Sequence, residues 1–491
     1  MLPRPFALSK NVFLAWGVPL LLAFILGVGI LSTTTILTGK WLAAATIVFF
    51  VPWILIASGN VELCLLFLFV FFLPVNLDFS LTPSEKYTPG AGAITVSVCD
   101  LALAGLYVIW IFKLISSSPG NRRLRWFPSL SVPFGFLWFC GALSSIWAPK
   151  PLLSFYELIE LAKMWFGFLY LANNIDGEAK ITTIIVATAF AVLGQSALGF
   201  TQHFSKSTLG LEILGESQRG GLLFQKTGVV KLSRVGGTMG HPNALATFLI
   251  IALPIVLSHL FSKKRFWSKA LALLALAMGF MTLILTFSRG GWIAFLIGAA
   301  CTVFLGIWKN RGFLSACAAS AVFWLFLFLL ALPFISAIST RLFEHDYGRA
   351  MSRIPLMQVA GNIIRAHPLE GVGLNNYTVV MQDYDDTKEA ITTYFPMPVH
   401  NMYLLTAAET GLPSLFFLLW FLAVALKMGW EGFWKNKGLE SLFCLGFMGG
   451  LVAALIQKLV EYWYLSSYFF SLIIGVFGAA RFWHERQDTN R

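Results

Sequence analysis

The sequence predicts an all-α polytopic integral membrane protein, and three observations lead to that fold class. Of the 491 residues, 57% are hydrophobic and only 12% are charged, whereas soluble domains carry about 25% charged residues. Apolar runs recur along the chain, and a helix of about 20 such residues spans a bilayer. Lys and Arg, which give a formal net charge of +12, fall mainly between these runs, as at membrane edges. A water-facing globular surface and nucleic-acid binding are therefore both disfavoured.

The apolar runs predict 12–14 transmembrane helices within one transmembrane domain, residues 1–491. The candidate spans lie near 12–31, 41–58, 61–79, 94–115, 131–148, 152–172, 181–203, 241–260, 269–286, 290–308, 313–338, 403–427, 440–458 and 463–481. The divisions within 41–79 and between the last two spans are the least sharp, so a count of twelve also fits.

The basic residues predict the orientation of the spans. If the N-terminus lies in the cytoplasm and the spans alternate, the basic clusters at 113–125, 263–269, 309–311 and 427–437 all fall on the cytoplasmic side. Both termini are then cytoplasmic. Two long external loops remain, at about 204–240 and 339–402.

The larger loop, 339–402, is the expected place of the functional site, since long loops are usually functional or disordered. An apolar stripe of Ile354, Met357 and Ile364 argues against disorder. It predicts a partly buried helix lying at the membrane surface, with short helices in the loop.

His400 is the first candidate for chemistry. It follows Phe395-Pro396-Met397-Pro398-Val399 and opens a predicted span, so two prolines give it a stiff, extended approach. An imidazole with its ordinary pKa near ~6.5 suits a general base at neutral pH. The alternative is an interfacial histidine whose ring is bonded to a carbonyl group.

Four arginines are candidates for binding phosphate, which a guanidinium holds through two parallel hydrogen bonds. Arg289 lies at an external membrane edge beside Gly290 and Gly291. Arg349 and Arg353 would share one face of a helix whose N-terminus favours anions. Snorkelling to lipid and a solvated basic face are the alternatives for these three. Arg234 opens a turn into a span, for which a structural role is favoured on the residues alone.

The acidic residues have simpler interpretations. Asp383, Asp385 and Asp386 could suggest a divalent metal site, but their irregular spacing favours a solvated cluster. Glu160 and Lys163 fall inside a predicted span, where they are expected to pair within the bundle. The six cysteines contain no C-x-x-C motif, so neither a disulfide framework nor a zinc site is indicated. The sequence also has no phosphate-binding loop, which disfavours an ATP-driven pump.

Four stretches, in order, resemble the O-antigen ligase and O-antigen polymerase superfamily of bacterial envelope glycosyltransferases. They are Arg234 to Asn243, Ser288-Arg289-Gly290, Arg353 through Ala366-His367-Pro368-Leu369-Glu370-Gly371-Val372-Gly373, and His400-Asn401 with Glu409-Thr410-Gly411-Leu412-Pro413. Each stretch is short, but their order and the large loop before the histidine make the resemblance fairly specific. It covers residues 234–413, and the first 200 residues resemble the family only in being apolar.

The resemblance implies a metal-independent, inverting transfer of a glycan from undecaprenyl pyrophosphate to an acceptor hydroxyl, without a cofactor. His400 would act as the base. Arg289 and Arg353, with Arg349 next and Arg234 as a further candidate, would hold the pyrophosphate. The active site would lie on the periplasmic face of the bacterial inner membrane.

Several acceptors are compatible with this resemblance. The preferred one is lipid A-core, which would make the protein an O-antigen ligase of lipopolysaccharide biosynthesis. An O-antigen or exopolysaccharide polymerase and a protein O-oligosaccharyltransferase would use the same donor. A polysaccharide-lipid flippase is the non-enzymatic alternative, although the paired broken helices typical of transporters are not visible in the sequence.

Overall fold

The computed structural model describes residues 59–85, 88–116, 124–217, 223–227, 230–343, 353–388, 390–462 and 467–489. This part of the chain is mostly helical, with only two short hairpins, and confirms the all-α polytopic class. Eight of its helices are long and apolar enough to cross a membrane. The predicted spans near 12–31 and 41–58 lie outside the described residues.

The first half contains five helices and two short hairpins. In chain order these are α1 (Val61–Phe71), β1 (Asp78–Ser80), β2 (Thr95–Ser97), α2 (Val98–Ser116), α3 (Pro128–Ser144), α4 (Pro151–Asn174), α5 (Glu178–Ser205), β3 (Leu223–Thr227) and β4 (Val230–Arg234). Both strand pairs are antiparallel, with Asp78 opposite Ser97 and Leu223 opposite Arg234. The β3–β4 hairpin, which the sequence did not predict, occupies part of the predicted 204–240 loop.

The second half contains eleven helices among the described residues. They are α6 (Pro242–Leu260), α7 (Phe266–Leu285), α8 (Arg289–Arg311), α9 (Phe313–Ala331), α10 (Ile335–Phe343), α11 (Arg353–Ala366), α12 (Tyr377–Val380), α13 (Ile391–Tyr394), α14 (Met402–Lys435), α15 (Gly438–Gln457) and α16 (Tyr468–Thr489). The predicted spans 241–260, 269–286, 290–308, 403–427 and 440–458 each correspond closely to one helix.

Helix α6 is central and deeply buried, and small residues of α15 allow the close approach of the two helices. A Cβ atom added to Gly450 would lie 2.8 Å from the carbonyl oxygen of Ile251. One added to Gly446 would lie 2.8 Å from the Cα atom of Ile255. Membrane helices use such small residues because lipid supplies little hydrophobic driving force for their association. The packing fixes the position of the start of α6 relative to the end of α15.

Helix α11 confirms a partly buried helix in the large loop, but of the apolar stripe only Ile364 is partly buried against the core. Ile354 and Met357 are 67% and 46% exposed. The buried residues are instead Leu356, Val359, Ala360 and Ile363. Their i, i+3, i+4, i+7 spacing gives one continuous helical face, which packs with residues of α12 and α14. The helix is therefore held by the protein itself.

Two of the family-like stretches hold each other at a bend in α14. Gly411 has φ 83°, and a Cβ atom there would lie 2.0 Å from the carbonyl oxygen of Leu369. The backbone N–H of Leu412 donates to Pro368 at 2.8 Å. The carboxylate of Glu409, fully buried, accepts backbone hydrogen bonds from residues 375 and 377. The bend requires glycine because the backbone is left-handed and no space remains for a side chain.

Two polar clusters lie among the helices of the first half. Lys163 Nζ lies 2.8 Å from Glu160 Oε1, as the sequence predicted, and 3.4 Å from Asp100. In the second cluster, Lys180 Nζ lies 2.9 Å from Glu62 Oε1 and donates to the carbonyl oxygen of residue 174 at 2.8 Å. Lys113 pairs with the other oxygen of Glu62. Both clusters tie neighbouring helices together.

Candidate functional site

Four helix starts and one connecting segment meet at one end of the bundle, which we call the site end. The helix starts are those of α6, α8, α11 and α14, and the connection is the 458–462 segment that follows α15. The segment contacts all four helix starts. Gly290 packs against Val460, Asn243 donates to Glu461, Arg353 pairs with Glu461, and Met402 N–H donates to the carbonyl oxygen of Lys458. Family-like stretches that are distant in sequence are thereby brought together.

His400 lies just before α14 and is fixed in one orientation. Its Nδ1 lies 3.1 Å from the carbonyl oxygen of Pro398. A carbonyl oxygen only accepts hydrogen bonds, so Nδ1 carries the proton and Nε2 carries the lone pair. The ring also meets Tyr462 edge to face, with centroids 5.2 Å apart. The bond to the carbonyl group, which was the alternative interpretation of His400, is compatible with a role as a base. The bond occupies Nδ1 and leaves Nε2 as an acceptor.

The environment keeps His400 neutral. Burial, with the nearby Arg353 guanidinium, lowers its pKa to about 4. The ordinary value near ~6.5 assumed from the sequence does not apply here. At neutral pH the ring is therefore almost entirely in its basic, unprotonated form.

His241 is a second neutral imidazole at the site end, and sequence reasoning did not select it as a site residue. It caps α6, and its Nδ1 accepts a hydrogen bond from the backbone N–H of Asn243 at 3.1 Å. Its proton consequently lies on Nε2, the reverse of His400. Burial, with Arg234 and His400 nearby, lowers the pKa of His241 to about 4. Nε2 of His241 is thus a hydrogen-bond donor, whereas Nε2 of His400 is an acceptor.

Arg353 begins α11 and faces Glu461. Its Nη2 lies 3.9 Å from Glu461 Oε1, and its side chain is 37% exposed while that of Glu461 is 5% exposed. Arg353 therefore remains accessible at the start of a helix, where backbone N–H groups also favour anions. Arg349, its predicted partner on the same face, lies outside the described residues and stays a prediction.

Arg234 and Arg341 donate hydrogen bonds to the backbone of the turn that precedes Arg289. Arg234 Nε donates to the carbonyl oxygen of Thr286 at 2.8 Å, and Arg341 Nε donates to that of Phe287 at 3.2 Å. Phe287 is buried and has φ 50°, an unfavourable backbone conformation for a non-glycine residue. The two bonds hold this turn in place. Arg234 is itself 8% exposed and also donates to the Asn243 side chain, so its contacts are those of a supporting residue.

Arg289 is the first residue of α8 and is partly buried at the site end. Ser288 caps the helix by accepting from the backbone N–H of Gly291. The close contact of Gly290 with Val460 leaves little room for a side chain at position 290. The glycines next to Arg289 therefore serve helix packing, and they place the arginine next to the 458–462 segment.

Glu461 and Lys458 are charged residues that the sequence analysis missed. Glu461 is 4% exposed and accepts a hydrogen bond from Asn243 Nδ2, while Lys458 is 6% exposed. Burial raises the pKa of Glu461, although Arg353, Lys458 and Arg234 act in the opposite direction. Burial lowers the pKa of Lys458 to about 8. The sequence feature that could have indicated them is the presence of two charged residues, Lys458 and Glu461, in a short connection between two apolar spans.

The acidic residues of the large loop hold the loop together. Asp385 accepts hydrogen bonds from the backbone and side chain of Thr387 and Thr392. Asp386 accepts from the side chains of Gln358 and Asn362. No set of three or more His, Cys, Asp or Glu side chains in the described residues is arranged to hold a metal ion. These aspartates act as internal hydrogen-bond acceptors of the loop.

The fold and the site end define a polytopic helical membrane protein with arginines and neutral imidazoles grouped where its helices begin. Residues 271–419 match the family model described as O-Antigen ligase. This match supports the O-antigen ligase superfamily, in agreement with the resemblance found in the sequence, and a membrane glycosyltransferase-like role in polysaccharide processing. Arg289, Arg353 and His400 lie within the matched residues, whereas Arg234 and the 458–462 segment lie outside them.

A chain of the solved structure titled "Structural coordination of polymerization and crosslinking by a peptidoglycan synthase complex" is similar at 19% identity and a TM-score of 0.38. The similarity covers 74% of this chain and 99% of that one. No curated protein matches the chain.

Proposed function

We propose that the protein transfers a glycan from undecaprenyl pyrophosphate to an acceptor hydroxyl, with O-antigen ligation to lipid A-core as the specific reaction. The observation that carries the proposal is the fixed orientation of His400. Its Nδ1–H donates to Pro398, its Nε2 is an acceptor, and it lies near the guanidinium of Arg353. A neutral base next to an accessible cation is the arrangement needed to deprotonate a hydroxyl beside an anionic leaving group.

In the proposed reaction, Arg353 and Arg289 hold the pyrophosphate of the donor. His400 Nε2 takes the proton of the acceptor hydroxyl as its oxygen attacks the anomeric carbon. The bond from that carbon to the pyrophosphate oxygen breaks on the opposite face, so the configuration inverts. The electron pair leaves with undecaprenyl pyrophosphate, whose growing negative charge the guanidiniums stabilise. No metal ion takes part in this proposal, because the two cations supply the charge.

We also propose that the site end faces the periplasm and that the protein resides in the bacterial inner membrane. The support is the number of basic residues at the opposite ends of the helices. They include Lys263, Lys264, Lys269, Lys309, Arg311, Lys427, Lys435 and Lys437. A cysteine replacing the exposed Met357 should react with an impermeant thiol reagent in intact spheroplasts, and one replacing Lys427 only after lysis. The reverse labelling pattern would overturn this orientation.

The function is tested with purified protein in lipid nanodiscs and a labelled undecaprenyl-pyrophosphate glycan. One reaction contains lipid A-core, a second contains donor alone, and a third contains a serine-rich peptide. Glycosylated lipid A-core supports the ligase, whereas longer donor-linked chains identify a polymerase and a glycopeptide identifies a protein glycosyltransferase. Product yield should be unaffected by EDTA. Translocation of the donor across liposomes without any transfer product would favour the flippase and reject the proposal.

A further inference from the structure

A buried carboxylate, Glu461, faces Arg353, one of the two arginines to which the donor pyrophosphate is assigned. Glu461 is 4% exposed and interacts electrostatically with Arg353, Lys458 and Arg234. The same carboxylate accepts a hydrogen bond from Asn243, which in turn accepts from Arg234. The negative charge of this carboxylate lowers the net positive charge that the neighbouring cations present to an incoming anion.

Such a residue is unexpected in a site that only has to bind an anion. Replacing the carboxylate by a neutral group would leave the cations unopposed and should increase their attraction for phosphate. The reaction, however, ends with a more anionic group than it begins with, because the broken bond leaves its electron pair on the pyrophosphate. A site with uncompensated cations would hold this product more tightly than the donor.

We propose that Glu461 is a counter-charge that limits the affinity of the site for pyrophosphate and thereby permits release of the undecaprenyl pyrophosphate product. It acts on the charge of Arg353 and not by contact with the acceptor. The inference rests on the proposed function, since it assumes that Arg353 holds the pyrophosphate.

The geometry fits this role. The Arg353–Glu461 separation of 3.9 Å is longer than a charge-assisted hydrogen bond of about 2.7–2.9 Å. Arg353 is 37% exposed and so remains accessible to a ligand, while Glu461 is 5% exposed and accepts a hydrogen bond from Asn243. The carboxylate thus reduces the charge of the cluster without enclosing the guanidinium.

Glu461→Gln tests the proposal because glutamine keeps the acceptor for Asn243 and removes only the charge. We expect the variant to bind inorganic pyrophosphate and undecaprenyl pyrophosphate roughly tenfold more tightly. Single-turnover transfer should stay within about threefold of wild type, while steady-state turnover should fall about tenfold after a burst of one product per enzyme. Glu461→Asp should keep wild-type affinity for pyrophosphate. Glu370→Gln, which removes an exposed carboxylate paired with His367, is the matched control and should change neither quantity.

The outcomes separate the two proposals. Weaker or unchanged pyrophosphate binding by Glu461→Gln would overturn the counter-charge, provided that Arg353→Ala weakens binding. If Arg353→Ala has wild-type affinity, the proposed function itself fails. Glu461→Ala is a second neutral variant and should also tighten binding. Failure of both neutral variants to fold would assign Glu461 a purely structural role and reject the inference.

Discussion

Two carboxylates, the partly buried Glu62 and the buried Glu461, each lie among cations, yet their surroundings differ. Around Glu62 the partners are close, with Lys180 Nζ at 2.9 Å from the carboxylate and at 2.8 Å from a carbonyl oxygen, and the side chain of Lys180 is 11% exposed. Around Glu461 the nearest guanidinium atom of Arg353 is 3.9 Å away, and that side chain is 37% exposed. The Lys180–Glu62 pair is thus a short contact with little exposure, although Lys113, the other partner of Glu62, is 53% exposed, and the Arg353–Glu461 pair is longer and more accessible.

The exposure of the cation distinguishes an ion cluster that stabilises the fold from one that can bind a ligand. In a closed cluster the ionic groups satisfy each other, so removing one leaves another buried without its partner. In an open cluster a cation keeps access to an outside ligand. We therefore expect mutations around Glu62 to change stability and mutations at the site end to change activity. The four predictions below test this division, from the largest effect to the smallest.

His400→Ala should reduce glycan transfer by about 10²–10⁴-fold, the usual contribution of a general base. His400→Gln should fail similarly, because it keeps a hydrogen-bonding group but no basicity. Binding of the labelled donor and membrane insertion should be preserved in both. Near-normal transfer by the purified alanine variant would remove His400 from the mechanism.

Arg353→Ala should weaken donor binding by roughly 10- to 150-fold, since a charge-assisted contact is worth about 1.5–3 kcal/mol. Arg353→Lys should recover only part of the affinity, because lysine lacks the planar fork. Arg289→Ala should behave like Arg353→Ala. The control is Arg365→Ala, at the other end of the same helix, where the guanidinium bonds to Asn362. Equal donor affinity in wild type and both site variants, measured by equilibrium binding, would contradict the assignment.

Glu62→Gln should lower stability by about 1–3 kcal/mol because Lys180 loses its buried charged partner. Thermal unfolding in detergent measures this change. The folded fraction should keep wild-type transfer activity. Glu85→Gln provides the control, since its pair with Lys150 is half exposed and contributes little. Loss of activity without loss of stability in Glu62→Gln would break the division between the two clusters.

The pH dependence should be the smallest effect. In the proposed mechanism the basic form of His400 is the active one, and burial lowers the pKa of His400 to about 4. Activity is therefore fully present at neutral pH and lost only as the pH falls toward about 4. We expect kcat/KM, which reports the free enzyme, to be flat between about pH 5.5 and 7. An acidic limb near 6.5 would show that the ring is not desolvated.

Much of the fold could be predicted from the sequence, because span length and the position of Lys and Arg are local properties. The helix in the large loop was also predictable, but its buried face was not. Ile354 and Met357 are large and apolar, and yet the face covered by α12 and α14 is the one that carries Leu356 and Ile363. Which side of a helix is covered depends on distant parts of the chain.

Some members of the candidate site could be selected from the sequence, but His241, Glu461 and Lys458 were missed, and the electrostatics of the site could not be predicted. His400, Arg289 and Arg353 could be selected because each lies at the end of an apolar run or in the large loop. The lowered pKa of His400 arises from burial, which the sequence does not reveal. Glu461 gave only a weak signal, since a charged residue in a short connection between spans is ordinary. Its contacts with Asn243 and Arg353 depend on segments more than 100 residues away.

The bend at Gly411 has a consequence for engineering the loop. Hydrogen bonds between residues 368–373 and 408–412 attach the middle of the loop to α14, the helix that follows His400. Beyond this attachment, the stretch between Met381 and Tyr394 is held by internal hydrogen bonds, because Asp385 accepts from Thr387 and Thr392. A chimera that exchanges only this stretch should keep His400 in register, because the attachment to α14 is left unchanged. Replacing Gly411 with any other residue should instead disrupt the contact between the loop and α14, because a side chain there would clash with Leu369. Such a chimera should be inactive.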